Sequence, residues 1–416
     1  MAGKALELGG PIRLADYLSM GLLARLVPPD VVNHALTKHG KHSQRQRDLP
    51  AHALAYYVMA LSLYRGVNTE EVLRVVTEGM EYLGDNAIRR EVGKSAISAA
   101  RTRLGAGVMQ TIAQQVLRPL AAPQTPSAFF KGLRLVSLDG SGLEVADEAA
   151  NREAFGVPGT QQGRTGYPQL RFVALLENAT HALFGVALGG YRDSEVTLAH
   201  QAIEHLQPGM LCLADRGFSG YPLWAAASRT GAHLLWRVAK NRNLPVLQRL
   251  ADGSYLSQIE PAPATLKKME EQEAQKVSPL LVRVIDYRLP GVANAEPIYR
   301  LITTLLDPLA APAQELAALY QERWTIESTF AEMKTTLKGA DVVLRSKTPE
   351  LVRQEFWGLL LAHHAVRKLM LEAALARAKP PDSLSFKHSL NLMRRKLPSS
   401  GAIPPRAVPE VVAQLG

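Results

Sequence analysis

Apolar residues recur at helical spacing in the first 120 residues of the chain. The segment Leu49–Tyr64 is largely apolar, and Pro50 stands at its start, where proline suits the first turn of a helix. A shorter helix is predicted to begin at an N-capping Ser95 and to end at Gly105, because glycine commonly terminates helices. We therefore predict a helical N-terminal domain over residues 1–120.

The pattern changes after the Pro-containing linker Ala121–Ser127. Short runs rich in Val, Leu and Phe alternate with helical intervals, which predicts an α/β domain with a mixed sheet. The predicted strands are Leu133–Val145, Gln169–Asn178, Ala182–Leu188, Met210–Ala214 and Ala232–Ala239, and the predicted helices are Ser194–Leu206 and Tyr221–Thr230.

Residues 241–307 show strand and turn signals and no long helical pattern, which predicts a β-rich insertion. Two long helices should follow, and the tail 378–416, rich in Pro, Ser and basic residues, is expected to be mostly extended or mobile. The predicted elements are a turn at Asp252-Gly253, strands Leu280–Arg288 and Ile298–Leu306, and helices Pro308–Lys338 and Glu350–Ala376.

Composition narrows the class of protein. A chain of 416 residues, 47% hydrophobic and 21% charged, is an ordinary globular mix of two or three domains. The net charge of +10 favours a polyanionic partner, although a merely basic protein would explain it equally well. The single cysteine excludes a disulfide between cysteines of this chain. We find no secretory pattern and no apolar run of about 18 residues, and we expect a soluble, cytoplasmic protein without membrane contact.

Two aspartates follow apolar strand-like runs. Asp139 comes after LRLVSL, and Asp215 comes after MLCLA. Ligand sites in open α/β sheets gather at the carboxyl ends of strands, and a poorly solvated carboxylate there needs a cation or a donor nearby. Either residue alone is equally well explained as a capping or turn aspartate, so the pair carries the signal.

A glutamate on the next predicted helix completes a possible site. At about 100° per residue, Tyr320, Arg323, Glu327 and Lys334 fall within an arc of roughly 60° beside an apolar stripe. Glu322 and Glu332 point away from that arc. An ion network on the helix surface is the alternative explanation.

Asp139, Asp215 and Glu327 are therefore candidate ligands of hard divalent cations, Mg²⁺ or Mn²⁺, since no Cys or His cluster accompanies them. Two such ions can activate the attacking oxygen and stabilise the leaving oxygen in an in-line displacement on phosphorus. Arg323 and Lys334 would then bind phosphate oxygens.

These residues resemble those of bacterial insertion-sequence transposases with an Asp-Asp-Glu (DDE) triad, specifically the insertion-sequence family numbered four. That family has a Tyr-x2-Arg-x3-Glu-x6-Lys signature, which Tyr320 to Lys334 meets in full. The surroundings of the two aspartates, Leu138-Asp139-Gly140-Ser141 and Ala214-Asp215-Arg216-Gly217-Phe218, also match. The similarity spans most of the chain.

The resemblance implies a ribonuclease-H-like catalytic domain over residues 121–240 and 308–377, interrupted by the β-rich insertion 241–307. It implies cut-and-paste transposition, with metal-dependent cleavage at the element's ends and strand transfer by a dimer. DNA partners would be terminal inverted repeats and target DNA, bound in association with the bacterial nucleoid. By position, Tyr320, Arg323 and Lys334 would hold the DNA backbone, and Trp324 could border a flipped base or belong to the core.

Other basic residues leave two explanations open. Lys94, Arg101 and Arg103 fit the polar side of a DNA-binding helix, which the resemblance favours, and they also fit a solvated helix face. Arg237 and Lys240, at the end of a predicted strand, could meet phosphate or be structural. A cleavage-only nuclease and an inactive DNA-binding relative remain the alternative functions.

Overall fold

The predicted change from helices to strands after residue 120 is present in the computed structural model of the chain. Within the described ranges, we find no helix with the length and apolarity needed to cross a membrane. The structure describes residues 23–43, 49–64, 68–82, 92–159, 166–273, 278–289, 296–339 and 343–395.

Helices dominate the described residues before Phe129 and after Thr303. Within the described ranges, four further segments are 3₁₀-helical, namely Ile203–His205, Arg216–Phe218, Tyr320–Trp324 and Pro381–Ser383, and Glu332–Leu337 is π-helical. The α-helices are α1 (Pro29–Lys38), α2 (Ala51–Leu63), α3 (Thr69–Tyr82), α4 (Lys94–Leu104), α5 (Ala106–Val116), α6 (Ala149–Phe155), α7 (Glu195–Ala202), α8 (Tyr221–Arg229), α9 (Pro263–Glu273), α10 (Ala313–Leu319), α11 (Thr325–Ala331), α12 (Pro349–Leu375) and α13 (Phe386–Arg395).

The strands lie between α5 and α10 along the chain, and most begin or end within two residues of the predicted bounds. They are β1 (Phe129–Phe130), β2 (Leu133–Glu144), β3 (Gln169–Glu177), β4 (Ala182–Gly190), β5 (Met210–Ala214), β6 (His233–Val238), β7 (Gln248–Arg249), β8 (Tyr255–Ile259), β9 (Leu280–Tyr287) and β10 (Tyr299–Thr303).

The chain forms two compact units, each built from separated stretches. Unit 1 contains Met1–Arg118, Leu143–Pro168 and Ala331–Gly416, and unit 2 contains Pro119–Gly142 and Gln169–Phe330.

Unit 1 is organised around the long helix α12. Thr348 caps this helix by accepting a hydrogen bond from the Leu351 N–H at 3.4 Å, and Pro349 occupies its first turn. The helix packs against α2 and α5. Because α2 is apolar around its whole circumference, it is buried on all sides, as such helices are in protein interiors.

Unit 2 is a mixed sheet in the order β4-β3-β2-β5-β6-β10-β9-β8-β7, with β1 paired to β2. The pairs β2/β5 and β5/β6 are parallel, and the pairs from β6 through β10 to β7 are antiparallel. Helices α7 and α8 cover one face, and α10 covers the other. Every residue of β5 is therefore buried, which explains its unbroken apolar sequence.

Two helices correct the expectations for 241–307 and for the tail. The 11-residue α9 lies within the predicted β-rich insertion, where Met269 packs into the core of the sheet. Helix α13 occupies part of the tail that was expected to be extended. Phe386 and Leu390, four residues apart, are buried, and Ser385 accepts a hydrogen bond from the His388 N–H at 3.3 Å. Residues 396–416 lie outside the described ranges.

The helix predicted over Pro308–Lys338 is neither as long nor as regular as expected. It begins at Ala313, passes through the 3₁₀ segment Tyr320–Trp324 and ends in the π-helical segment. Helix α4 begins after Gly93 with no side-chain cap, so the serine cap predicted at Ser95 is wrong, whereas Gly105 ends the helix with φ +79°.

Substituting Gly358 should destabilise unit 1, because this glycine is where α12 approaches α2 most closely. A Cβ added there would lie 2.6 Å from the Val58 carbonyl oxygen, which is backbone and cannot rotate away. We expect Gly358→Ala to lower the free energy of unfolding by about 1–3 kcal/mol, measured by denaturant titration. Gly159→Ala, at a position with open space, is the control and should change little. Equal effects would contradict the close-packing argument.

Candidate functional site

The register between two parallel strands places Asp139 and Asp215 at the same edge of the sheet. The last paired residues of β2 and β5 are Leu138 and Ala214. Each aspartate is the next residue along its strand, and parallel strands point their carboxyl ends the same way. We call this boundary, where Asp139 and Asp215 follow Leu138 and Ala214, the acidic edge.

The Asp139 carboxylate is mostly buried and has two donors. The Gly140 N–H donates to its Oδ1 at 2.8 Å, and Arg323 Nη1 donates to its Oδ2 at 3.2 Å. Burial raises the pKa of Asp139 to about 6, and the negative charges of Asp215 and Glu327 add to this shift. Asp139 therefore interacts electrostatically with both other acids, while Arg323 and the Gly140 N–H act in the opposite direction.

The Arg323 guanidinium bridges two of the three acids. Its Nη2 donates to Glu327 Oε1 at 3.0 Å while Nη1 contacts Asp139, and its side chain is only 8% exposed. Burial by itself would lower the pKa of Arg323, but Tyr320, Glu327 and Asp139 together raise it. Glu327 is 45% exposed, so its carboxylate faces both the arginine and solvent.

Asp215 caps the 3₁₀ turn that follows β5. Its Oδ1 accepts a hydrogen bond from the Gly217 N–H at 2.8 Å. Tyr320 lies beneath this turn, where its hydroxyl donates to the Ala214 carbonyl at 3.1 Å. Tyr320 is buried. The expectation that it contacts the DNA backbone therefore needs correction, because its polar atom is already engaged by the end of β5.

Trp324 lies beside these groups on the exposed side of the 3₁₀ segment. It is 57% exposed, and the Arg323 guanidinium carbon lies 4.7 Å from its ring centre. Of the two explanations that the sequence left open, a core position is excluded. A large exposed aromatic ring beside Arg323 is available to a bound partner.

The donor set fits a hard divalent cation. Across the described part of the chain, no three or more His, Cys, Asp or Glu side chains are grouped closely enough to hold a metal ion. At the acidic edge, the Arg323 guanidinium lies between Asp139 and Glu327. The chemistry nevertheless suits Mg²⁺ or Mn²⁺, because the side chains present are carboxylates and the raised pKa of Asp139 favours an added cation.

Comparison with known proteins shows which family this chain belongs to. Residues 131–364 match the family described as the transposase DDE domain, and residues 17–113 match the N-terminal domain of insertion element 4 transposases. The first match covers more than half of the chain. This chain belongs to the DDE transposase family.

Two of the proteins that are similar to this transposase illustrate the family. One is the transposase InsG for insertion sequence element IS4 of Escherichia coli (strain K12), 29% identical over 409 residues, which cover 97% of this chain and 86% of that protein. The other is a solved piggyBac transposase synaptic complex with hairpin DNA, with a TM-score of 0.45 and 9% identity over 98% of this chain and 87% of that one.

Family membership confirms the resemblance drawn from the Tyr-Arg-Glu-Lys signature. The predicted α/β fold class is confirmed in its mixed sheet and its helical N-terminal region. The protein is a DDE transposase, an enzyme that acts on DNA, and the DDE domain implies a general dependence on divalent metal.

Lys334 lies in a different unit and in a different kind of helix from the other signature residues. It belongs to unit 1, within the π-helical segment, and it is half buried, which lowers the pKa of its amine. The arc drawn from the sequence assumed an α-helix from Tyr320 to Lys334. Because the transposase has 3₁₀ turns at one end of this stretch and π turns at the other, that angular argument is wrong for Lys334.

Sequence reasoning missed the residues that anchor the signature helix. Asn178 Nδ2 donates to the Glu322 carbonyl at 2.7 Å, and the Ser137 hydroxyl donates to Asn178 Oδ1 at 3.0 Å. His181 Nδ1 and the Thr329 hydroxyl lie 2.9 Å apart. Asn178 and His181 flank the turn between β3 and β4, where a polar pair after an apolar strand resembles any ordinary turn.

Two glycines beside the acids make room for carboxylates. A Cβ on Gly140 would lie 2.8 Å from Cδ of Glu195, and a Cβ on Gly217 would lie 3.0 Å from Oδ1 of Asp215. The side chain of Glu195 therefore packs over Gly140. At Gly217 the missing side chain leaves space for the Asp215 cap.

The N-terminal candidates divide into one buried residue and two exposed ones. Arg101, expected on the polar side of its helix, is buried in unit 1 and donates to Gln354 Oε1 at 2.8 Å and to the Leu351 carbonyl at 3.2 Å. This corrects the expectation that Arg101 contacts DNA. Lys94 and Arg103 are exposed on the same helix, as that expectation requires.

The two arginines of α4 should therefore behave oppositely when substituted. Arg101→Met leaves buried acceptors without donors, so we expect it to lower the free energy of unfolding by about 2–4 kcal/mol. Arg103→Met should leave stability unchanged and weaken binding to duplex DNA. Chemical unfolding and fluorescence anisotropy measure the two effects. Unchanged stability of the Arg101 variant would contradict its structural role.

Proposed function

We propose that Asp139, Asp215 and Glu327 carry the chemistry of a cut-and-paste transposase, cleaving DNA at the ends of an insertion sequence and joining them to target DNA. The observation that carries the proposal is the acidic edge. Two aspartates lie in register on parallel strands, and Arg323 links one of them, Asp139, to Glu327. Asp139 also interacts electrostatically with Asp215 and Glu327. Family membership supports the reaction class.

These three carboxylates would hold the divalent metal, Mg²⁺ or Mn²⁺, and we propose two ions. When bound, such ions lower the pKa of an attacking water or 3′ hydroxyl and stabilise the departing oxygen of the phosphodiester. Arg323 forms ion pairs with both Asp139 and Glu327. It is therefore placed to release one carboxylate and turn to a phosphate oxygen of the DNA.

The exposed groups around the acids would position the DNA. Trp324 offers a ring to an unstacked base. Independently of this group, Lys334 of unit 1 would contact the DNA backbone. Tyr320 would act indirectly by fixing the end of β5, and so the direction of Asp215. In the helical N-terminal region, Lys94 and Arg103 would contact the terminal inverted repeats. Because two ends must be handled together, we propose a homodimer as the active form.

Loss of Glu327 should abolish DNA cleavage, whereas loss of Glu322 should not. Glu322 is exposed on the same helical run and contributes only its backbone carbonyl to the anchor. We expect Glu327→Gln, Asp139→Asn and Asp215→Asn each to reduce nicking at least about a thousandfold, because each removes a ligand of the reaction centre. The assay uses full-length protein, Mg²⁺ or Mn²⁺, and a plasmid carrying the sequences that flank the gene. An inactive Glu322→Gln with an active Glu327→Gln would refute the assignment.

The products of the same assay separate the alternative functions. Excision followed by joining to a target plasmid supports a transposase. Cleavage without joining favours a nuclease, and binding without cleavage by wild-type protein favours an inactive relative. The presence of Asp139, Asp215 and Glu327 favours excision followed by joining.

Metal binding can be measured without activity. Mg²⁺ should raise the unfolding temperature of the wild-type protein, because a ligand that binds only the folded state stabilises it by RT ln(1 + [L]/Kd). We expect Asp139→Asn and Asp215→Asn to lose this increase and Glu322→Gln to keep it. Differential scanning calorimetry across a Mg²⁺ series gives the comparison. An equal increase in all variants would place the metal elsewhere.

A further inference from the structure

A basic group continues the acidic edge on the next strand. Strand β6 is parallel to β5, and Trp236 pairs with Ala214. Arg237 is therefore in register with Asp215, one strand farther along the sheet. Arg216, the residue after Asp215, begins the exposed 3₁₀ turn at the same boundary. The two arginines thus flank one of the three acids.

Both arginines converge on one carboxylate oxygen. Arg237 Nη2 lies 2.6 Å from Glu296 Oε1, and Arg216 Nη1 lies 3.4 Å from the same oxygen. Lys240, which is exposed, acts on Glu296 electrostatically as well. The hydrogen bond from Arg237 and the charges of Arg237, Arg216 and Lys240 hold the pKa of Glu296 below its usual range. Three cations therefore face a single negative charge.

Arg237 is held in place by aromatic rings, unlike a freely moving surface arginine. Its guanidinium carbon lies 4.7 Å from the ring centre of Tyr299. Tyr299 stacks on Tyr287, with ring centres 5.3 Å apart and 26° between the planes. The Tyr299 hydroxyl accepts a hydrogen bond from the Glu296 N–H at 3.2 Å. These contacts fix the guanidinium and the carboxylate relative to each other.

We propose that Arg216, Arg237 and Lys240 form a binding site for a phosphate of the DNA backbone, and that Glu296 occupies this site until DNA displaces it. We call this group the basic extension. The proposal rests on the proposed function, because it takes DNA as the substrate of the acidic edge.

The arrangement suits a phosphate better than it suits the glutamate. A phosphodiester shares one negative charge between two tetrahedrally arranged non-bridging oxygens, so each arginine can bind its own oxygen, whereas both arginines here contact the same oxygen of Glu296. Guanidinium groups bind such oxyanions through forked donors, and Lys240 adds a charge that Glu296 leaves in excess. A phosphate here would lie beside Asp215, where a DNA strand entering the acidic edge must pass. Glu296 then acts as a competitor that weakens unproductive DNA binding.

Removing the charge of Glu296 should strengthen DNA binding. We expect Glu296→Gln to tighten binding of a fluorescein-labelled duplex of random sequence by about threefold to tenfold. Arg237→Gln should weaken it, and the double variant should lose most of the gain. A plot of the logarithm of the binding constant against the logarithm of the salt concentration gives a negative slope for each variant. The slope of the double variant should be smaller in magnitude than that of Glu296→Gln by about one, as expected for one lost phosphate contact.

A matched control separates this site from general charge effects. Glu315 forms an exposed ion pair with Lys131 at 3.0 Å, and Lys131 precedes β2, away from Asp139 along that strand. Glu315→Gln changes the net charge by the same amount and should leave DNA affinity unchanged. Thermal unfolding of each variant verifies that it is folded.

The binding measurements use full-length protein without divalent metal, so they do not depend on catalysis. If Glu296→Gln binds DNA no more tightly than wild type, or if Glu315→Gln gains as much, the basic extension is an ordinary surface ion pair and the proposal fails. If Glu296→Gln binds more tightly through Arg237 while wild-type protein cleaves no DNA, the proposed function fails and the phosphate site stands.

Discussion

The register between β2 and β5 is the constraint on which the rest of the site depends. Leu138 pairs with Ala214, so the residues that follow them, Asp139 and Asp215, lie side by side. A shift of either strand by one residue would turn each side chain to the opposite face of the sheet. That shift is prevented because both faces are covered, with Leu211 and Leu213 in one core and Cys212 and Ala214 in the other. Burial of apolar residues therefore fixes where the acids stand.

The third acid depends on anchors that hold a helical run against this sheet edge. Tyr320 is tied to the end of β5, Asn178 holds the carbonyl of Glu322, and His181 meets Thr329. These contacts lie on both sides of Glu327 along the chain and leave its carboxylate facing Arg323. A helix of ordinary stability would not fix this rotation by itself, since its exposed face could turn with little cost. The polar contacts select Glu327 over Glu322.

The sequence predicted the sheet well because strands buried on both faces consist of continuous apolar residues. Met210–Ala214 was predicted with its observed bounds, and Asp139 within β2 and Asp215 after β5 were recognisable from the apolar runs that precede them. The signature with Glu327 identified the family. Each of these features is local along the chain, so spacing and residue type were sufficient.

What the sequence could not predict depends on contacts between distant residues. In the sequence, Arg101 cannot be told from an exposed basic helix residue, because its acceptors, Gln354 and the Leu351 carbonyl, lie about 250 residues away along the chain. Tyr320 fits the pattern of a DNA contact, but the Ala214 carbonyl takes its hydroxyl. The π-helical turn that changes the direction of Lys334 has no distinct composition, because Glu332–Leu337 contains ordinary helix-forming residues. Helix α13 depends on a few buried side chains in a polar segment.

Oppositely charged side chains pair with each other at two places along this edge of the sheet. Arg323 lies between Asp139 and Glu327, and Glu296 lies between Arg216 and Arg237. In each case a side chain supplies the charge that a cation or a phosphate would supply in a complex with metal and DNA. Such pairing stabilises the free protein, since a partly buried charge without a partner is costly. It also means that binding exchanges one ion pair for another. The net gain then depends on geometry, so a ligand that satisfies both groups at once is favoured over a stray ion.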